Sequence, residues 1–432
     1  MDINKLCENE KENIIALRRD FHKYPEEYWR EFRTTGKIGE YLTSFGYDVY
    51  YGNEVLKEEF VMNYPTEAEI NRAKDFALNN GGNLNYLKKS GGYTGLAAVL
   101  DTGRAGKTTA LRFDIDANEV IESTENSHRP FKEGFSSVNY GRAHCCGHDG
   151  HMAMGIALAK ILSEIKNELC GKIIFIFQAG EESVAGGKSF SESDFLKNVD
   201  YFLSAHLGIK ADKFTQDIVG VKGFLATKKI DVSFLGKSSH AGVSPQLGKN
   251  ALLAASAAIT AMYTICQDGR GSRRINVGTI NGGTARNAIV DRLDIKMEVR
   301  GETNEICEDM YRECKKIIEH TSAMYGVTAN IKVVGEAPGA ESDSALANFC
   351  ENIIKNLYPD HEVINSYDFG ASEDVTFIMN RIQRDGGKSH YMMIGTELAA
   401  PHHNPKFDIN EDSLTKGVKI LANTVYRLQK AD

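Results

Sequence analysis

Residues 144–151 read HCCGHDGH: three histidines, two cysteines and an aspartate within eight positions of a chain that has only 12 histidines in 432 residues. So dense a set of donor atoms suits a metal site or a redox couple, or it is a chance meeting of buried side chains. Cys145 and Cys146 are neighbours and cannot reach ordinary disulfide geometry without distorting the backbone between them. The remaining cysteines, Cys7, Cys170, Cys266, Cys307, Cys314 and Cys350, show no disulfide-framework spacing. The redox reading therefore falls behind the metal one.

Further donors stand at the ends of short apolar runs. Asp114 and Asp116 close TTALRFDID (108–116), Glu181 and Glu182 close KIIFIFQAGEE (172–182), and His206 closes DYFLSAH (200–206). His402 and His403 follow SHYMMIG (389–395) within a short loop. Each of these alone has an ordinary explanation. A glutamate pair after a strand is most often a solvated turn, and a lone histidine more often satisfies a backbone carbonyl than binds a metal. Their meeting at one edge of a sheet favours the metal. A thiolate, imidazoles and carboxylates together suit zinc, with manganese or cobalt as alternatives. The donors are too many for one tetrahedral structural site, and two ions about 3.5–4 Å apart use them better. An adjacent glutamate pair can then divide its work: one binds metal, and the other stays available to take a proton from the attacking water.

The apolar runs must be the elements that deliver these donors. They read as buried strands alternating with helical patterns such as HMAMGIALAKILSEIKNEL (151–169), apolar nearly all round. Such alternation predicts an α/β domain with a mostly parallel central sheet. Ligands of open α/β sheets bind beyond the carboxyl ends of the strands, where all these donors fall. From about 225 to 335 the rhythm changes to strand, helix, two strands, helix, strand, the order of a ferredoxin-like βαββαβ domain. The chain is thus expected to form a larger, discontinuous domain over 1–224 and 336–432, with a smaller domain over 225–335 inserted in it. A polar, mostly helical insertion over about 54–92 decorates the larger domain.

Composition bounds the partners. A net charge of −8 argues against nucleic acid and anionic membrane surfaces. No stretch approaches the roughly 18 apolar residues of a membrane span, and the N-terminus shows no secretory signal. The expected location is the cytoplasm, where cysteines stay reduced.

With these residues in hand, the chain resembles the dinuclear metallo-amidohydrolases of the aminoacylase and carboxypeptidase superfamily. The similarity is to the branch that holds indole-acetyl-amino-acid hydrolases and hippurate hydrolases. It rests on CGHDGH (146–151), the Glu-Glu pair after a buried strand, and GKSSHAGVSP (236–245). HRPFKEGFSS, GTELAAPHHNPKFD, ASEDVTFIMNRIQ and the 54–92 insertion match a subfamily that cleaves aminobenzoyl-glutamate. The resemblance implies a phosphorylase/hydrolase-like catalytic domain and two divalent ions, Mn2+ or Zn2+. It further implies Cys146 as the bridging ligand, His148 and His206 on one ion, and Glu182 and His403 on the other. Glu181 would be the general base and then the general acid, and Asp114 would orient the site from behind the metals. His240 would reach into the site of a second copy and stabilise the oxyanion, while Asn287 and Arg300 would contact substrate carboxylates. The implied substrate is an N-acyl amino acid, with a broader aminoacylase or dipeptidase activity as the alternative. The resemblance makes 1–224 and 336–432 the metal-binding catalytic domain and 225–335 a lid or dimerisation domain. The implied assembly is a homodimer through that lid domain, or a heteromer in which this type of chain works with a homologous B subunit. Cys145, in place of a small residue, and QAGEES depart from the usual family pattern. His144 and His151 are expected to support the ligands.

Overall fold

The apolar runs fold as strands. In chain order the strands are β1 (Asp48–Tyr51), β2 (Leu96–Asp101), β3 (Thr108–Asp114), β4 (Lys172–Gln178), β5 (Tyr201–Leu207) and β6 (Gln216–Lys222). They continue with β7 (Ala226–Leu235), β8 (Arg273–Gly282), β9 (Arg292–Gly301), β10 (Thr328–Ala337), β11 (Glu362–Asp368) and β12 (Lys388–Ile394). The structure, a computed structural model, describes residues 2–430.

One sheet has the order β1-β2-β4-β3-β5-β12-β6-β11. Its centre is parallel: β3 pairs with β4 and β5, and β5 with β12, all in the same direction. The antiparallel ladders are β1–β2, β2–β4 and a short β12–β6 contact. Every residue of β3, β4, β5 and β12 after the first is buried. Burial on both faces is why these strands read as unbroken apolar runs. The rim strands β1 (DVYY) and β11 (EVINSYD) keep exposed positions and carry no such run, so the sequence did not mark them.

The helix that covers the centre of this sheet spans His148–Glu164. It begins three residues earlier than its apolar pattern suggests, because Gly147 adopts a left-handed φ of 91° and turns the chain directly into the helix. His148 and His151 consequently lie one turn apart on one face. Two glycines let the helix press against the strands. A Cβ on Gly150 would lie 2.7 Å from a Leu207 methyl, and one on Gly155 would lie 2.8 Å from the Phe177 ring.

The chain separates into two compact units: Met1–Lys222 with Ala340–Asp368 and Asp374–Asp432, and Gly223–Gly339 with Phe369–Glu373. The second unit holds β7, helix Ala251–Met262, β8, β9, helix Asn304–Met324 and β10, the ferredoxin-like βαββαβ order. Its antiparallel sheet runs β10-β7-β9-β8 and packs Ile230, Val232, Phe234 and Ile295 against Met310, Cys314 and Ile318 of the longer helix. In the first unit, the segment between β1 and β2 contains helix Glu67–Asn79, opened by a capping box of Thr66 and Glu69, and the short helix Leu87–Ser90. Ile70, Ala77 and Tyr86 bury its inner face against Phe32. Among the described residues no helix is long and apolar enough to cross a membrane.

Candidate metal centre

The carboxyl ends of β3, β4 and β5, the start of helix His148–Glu164 and the loop after β12 bring their donors to one place in the first unit. Three overlapping sets of donor atoms lie within 4.8 Å of one another: Cys146, His148 and His206; Cys146, Glu182 and His403; His148, Glu181 and Glu182. Cys146 belongs to two of them, and its sulfur stands 3.5 Å from His206 Nε2. Glu182 Oε2 is 3.3 Å from His403 Nε2.

Backbone carbonyls set the tautomers of two rings. His148 Nδ1 donates to the Asp116 carbonyl (2.8 Å) and His206 Nδ1 to that of Leu207 (2.9 Å), which turns each Nε2 inward. His148 Nε2 is buried and has no hydrogen-bond partner. Around it stand Asp114 at 3.7 Å, Glu182 at 3.7 Å and Glu181 at 3.9 Å. Burial works against a charged His148 ring, but Asp114, Asp116 and Glu182 outweigh it and raise its pKa to about 10. Burial also raises the Glu182 carboxyl against the pull of His148 and His403. So much buried negative charge around an orphaned imidazole nitrogen calls for a cation, and a borderline-soft divalent ion fits the donor set.

The sequence offered both His402 and His403 as donors, and the resemblance favours His403. His402 turns Nε2 toward the Leu207 carbonyl at 3.2 Å, and burial drops its pKa to about 4. His403, with a left-handed φ of 63°, donates its backbone N–H to the Cys145 carbonyl (2.8 Å) and faces Glu182. A non-glycine residue held there is a strained feature that concentrates at working sites. His151 does support its neighbours: Nδ1 binds Asp114 (2.5 Å) and Nε2 accepts from Leu207 N–H (3.0 Å). His144 differs from the expectation, since neither ring nitrogen makes a hydrogen bond; it is packed rather than tethering. Cys145 is buried, which pushes its thiol pKa far up and keeps it a neutral neighbour.

Sequence reasoning offered Asp116 as a metal donor and missed Arg112 and Asp374; all three hold the Glu-Glu loop instead. Asp116 accepts the backbone N–H of Glu181 (3.1 Å) and of Glu182 (2.9 Å). Farther along the loop, Asp374 accepts from Gly186 (3.2 Å) and Gly187 (2.6 Å). The buried Arg112 joins the two ends, bonding Asp114 at 2.7 Å, Asp374 at 3.1 Å and Gln178 at 3.0 Å. Asp374 lies within the run ASEDVTFIMNRIQ, the only signal it gave.

The other three expected site residues belong to the second unit. His240 is exposed, and its Nδ1 accepts from Gly242 and Val243 N–H (3.1 Å each), so Nε2 carries the ring proton and points outward as a donor. Asn287 is beside it: its carbonyl accepts from Ala241 N–H (2.9 Å), and His240 forms a bridge with Ala288. Arg300 is not. It sits at the far end of β9, eight residues beyond Arg292, or about 27 Å along an extended strand. Its guanidinium bonds both Glu298 oxygens (3.0 and 3.1 Å) and reaches Ser372 at 3.5 Å.

A two-unit α/β chain with thiolate, imidazole and carboxylate donors at its strand ends is the architecture of a metal-dependent amide-bond hydrolase. The pattern of Peptidase family M20/M25/M40 matches residues 110–427, and the chain belongs to this family. It is 38% identical over 416 residues to a Haemophilus influenzae homolog of the A-type component of p-aminobenzoyl-glutamate hydrolase, covering 96% of this chain and 98% of the relative. It is 37% identical over 413 residues to an indole-3-acetyl-aspartic acid hydrolase of Enterobacter agglomerans, covering 95% and 94%. Among solved structures, an aminobenzoyl-glutamate utilization protein from Klebsiella pneumoniae superposes with a TM-score of 0.84 at 29% identity, covering 99% and 98% of the two chains.

Proposed function

We propose that this chain hydrolyses p-aminobenzoyl-glutamate to p-aminobenzoate and glutamate. The observation that carries the reading is the orphaned His148 Nε2, ringed by Asp114, Glu181 and Glu182, with Cys146 shared between two donor sets. The residues fit a pair of divalent ions, Mn2+ or Zn2+: Cys146 would bridge, with His148 and His206 on one side and Glu182 and His403 on the other. Such a pair supplies a polarised scissile carbonyl and a water acidic enough to be deprotonated near neutral pH. Glu181, at the edge of the set, takes the proton of the attacking water and returns it to the departing amine nitrogen. Asp114 orients His151 and faces His148 from behind. The substrate follows from the activities for which the relatives are named, hydrolysis of aminobenzoyl-glutamate and of an acyl-aspartate.

His240 and Asn287 lie together, while Arg300 lies at the other end of the same sheet. One small ligand cannot touch both ends within one copy. A homodimer reconciles them, with His240 and Asn287 serving the site of a second copy, where His240 Nε2–H would stabilise the oxyanion. Arg300 would contact a substrate carboxylate from the other end of the sheet. The helix Ala251–Met262 leaves Leu252 and Leu253 exposed, and the outer strand β8 leaves Ile280 exposed, which suits a lid that also dimerises. Relatives named as one component of a hydrolase favour a second arrangement, a heteromer with a homologous partner chain.

The test is metal analysis alongside turnover. Purified chain, assayed alone and with a candidate homologous partner, is expected to hold two ions and release p-aminobenzoate. A fully loaded preparation that cleaves no acylated amino acid in either setting rules the reading out.

A further inference from the structure

The first unit, which carries the metal centre, also holds a cavity of about 240 Å³ between helix Glu67–Asn79 and the 139–142 loop. Phe76, half-buried on the helix, and Tyr140, 85% exposed on the loop, stand among its lining residues. The guanidinium planes of Arg30 and Arg142 are held in place by carboxylates: Arg142 Nε is 2.6 Å from Glu27, and Arg30 Nη2 is 3.1 Å from Glu69. Flat cations and aromatic rings are the surfaces on which another aromatic ring stacks. The size agrees, because a cavity of about 150 Å³ already holds a benzene ring. The charges decide against a purely anionic ligand: Arg30, Arg72 and Arg142 face Glu26, Glu27 and Glu69, so no excess of cations waits for a dicarboxylate.

The cavity shares backbone with the metal centre. Glu27 bridges Ala117, and Asn118 bridges Ala143, the neighbour of Arg142. The Asn118 side chain in turn accepts the Cys145 N–H (3.1 Å). One wall of the cavity, formed by Asn139, Tyr140 and Arg142, therefore belongs to the strip of chain that leads into Cys146.

The geometry points to this cavity as the subsite for an aromatic acyl group, with Phe76 and Tyr140 as its specificity-determining residues. This makes the 54–92 insertion a selectivity element rather than a decoration. The inference rests on the amide-hydrolase reading above and names the half of the substrate that the inserted helix recognises.

The test compares aminobenzoyl-glutamate with acetyl-glutamate in the full, metal-loaded chain. Phe76→Ala and the exposed Tyr140→Ala are expected to lower the ratio of kcat/KM for the aromatic over the acetyl substrate about tenfold, through KM. The Tyr140 variant removes a surface ring and guards against misfolding of the other. An unchanged ratio in both variants overturns the subsite even when hydrolysis is normal. If the parent cleaves neither substrate, the hydrolase reading has failed instead. The subsite is then judged by calorimetric titration of p-aminobenzoate. Weaker binding in Phe76→Ala than in the parent supports it; equal binding, or none, overturns it.

Discussion

Glu181 and Glu182 are adjacent, yet their surroundings divide them. Glu182 belongs to two of the donor sets above, 3.3 Å from His403 and 3.7 Å from His148, whereas Glu181 belongs to one, 3.9 Å from His148. Substituting each should separate their roles. Glu181→Gln is expected to keep its metal and lose about 10²- to 10⁴-fold in kcat, the usual worth of a positioned acid or base. Glu182→Gln is expected to lose metal as well. Metal content by plasma mass spectrometry beside kcat reads both outcomes, and a fast Glu181→Gln enzyme would remove Glu181 as the base.

Strands and loops place these residues, and the loop that carries the glutamates is clamped rather than loose. Asp116 holds its first N–H groups, Asp374 holds those of Gly186 and Gly187, and Arg112 ties Asp374 to Asp114. Removing one partner of a buried ion pair leaves an uncompensated charge, which costs about 3–5 kcal/mol. Asp374→Ala is therefore expected to lower unfolding stability by that order in a denaturant titration. It should also slow turnover, because the loop bearing Glu181 and Glu182 loses an anchor. Parental stability in Asp374→Ala would show that Arg112 finds full compensation elsewhere. Legibility in the sequence divides along the same lines. The apolar runs of β3, β4, β5 and β12 announced themselves, and with them Asp114, Glu181, Glu182 and His206 at their ends. Arg112 and Asp374 are 262 positions apart, and a pair of opposite charges at that separation leaves no periodic or local mark.

At the scale of the molecule, the second unit carries its candidate groups at opposite ends of one sheet, and the proposed dimer would give both a use. Diluting the protein until sedimentation shows monomers is expected to reduce activity per chain, and His240→Ala is expected to make that dilution effect disappear by lowering the activity of the dimer itself. Full specific activity in a proven monomer would end the role of His240 across an interface. The first unit is closed by another long-range device. Arg18, fully buried near the N-terminus, bonds Asp149 at 2.8 Å beside the proposed ligand His148, and Asp408 at 2.9 Å and Glu411 at 3.3 Å near the C-terminus. Arg18, Asp408 and Glu411, from segments far apart in the chain, thereby brace the helix that carries the proposed ligands.

By itself the sequence determined the kind of chemistry and the elements that serve it. Donor types are fixed by residue identity, and burial on both faces of a parallel sheet writes itself as an apolar run. Three things were decided only by the tertiary structure. It turned His402 to a carbonyl and His403 to Glu182, it set Asn287 and Arg300 at opposite ends of a sheet, and it joined an inserted helix to the 139–142 loop around a cavity. Each depends on which way a backbone points after distant segments have packed, and that direction is a property of the folded chain and not of any local stretch of it.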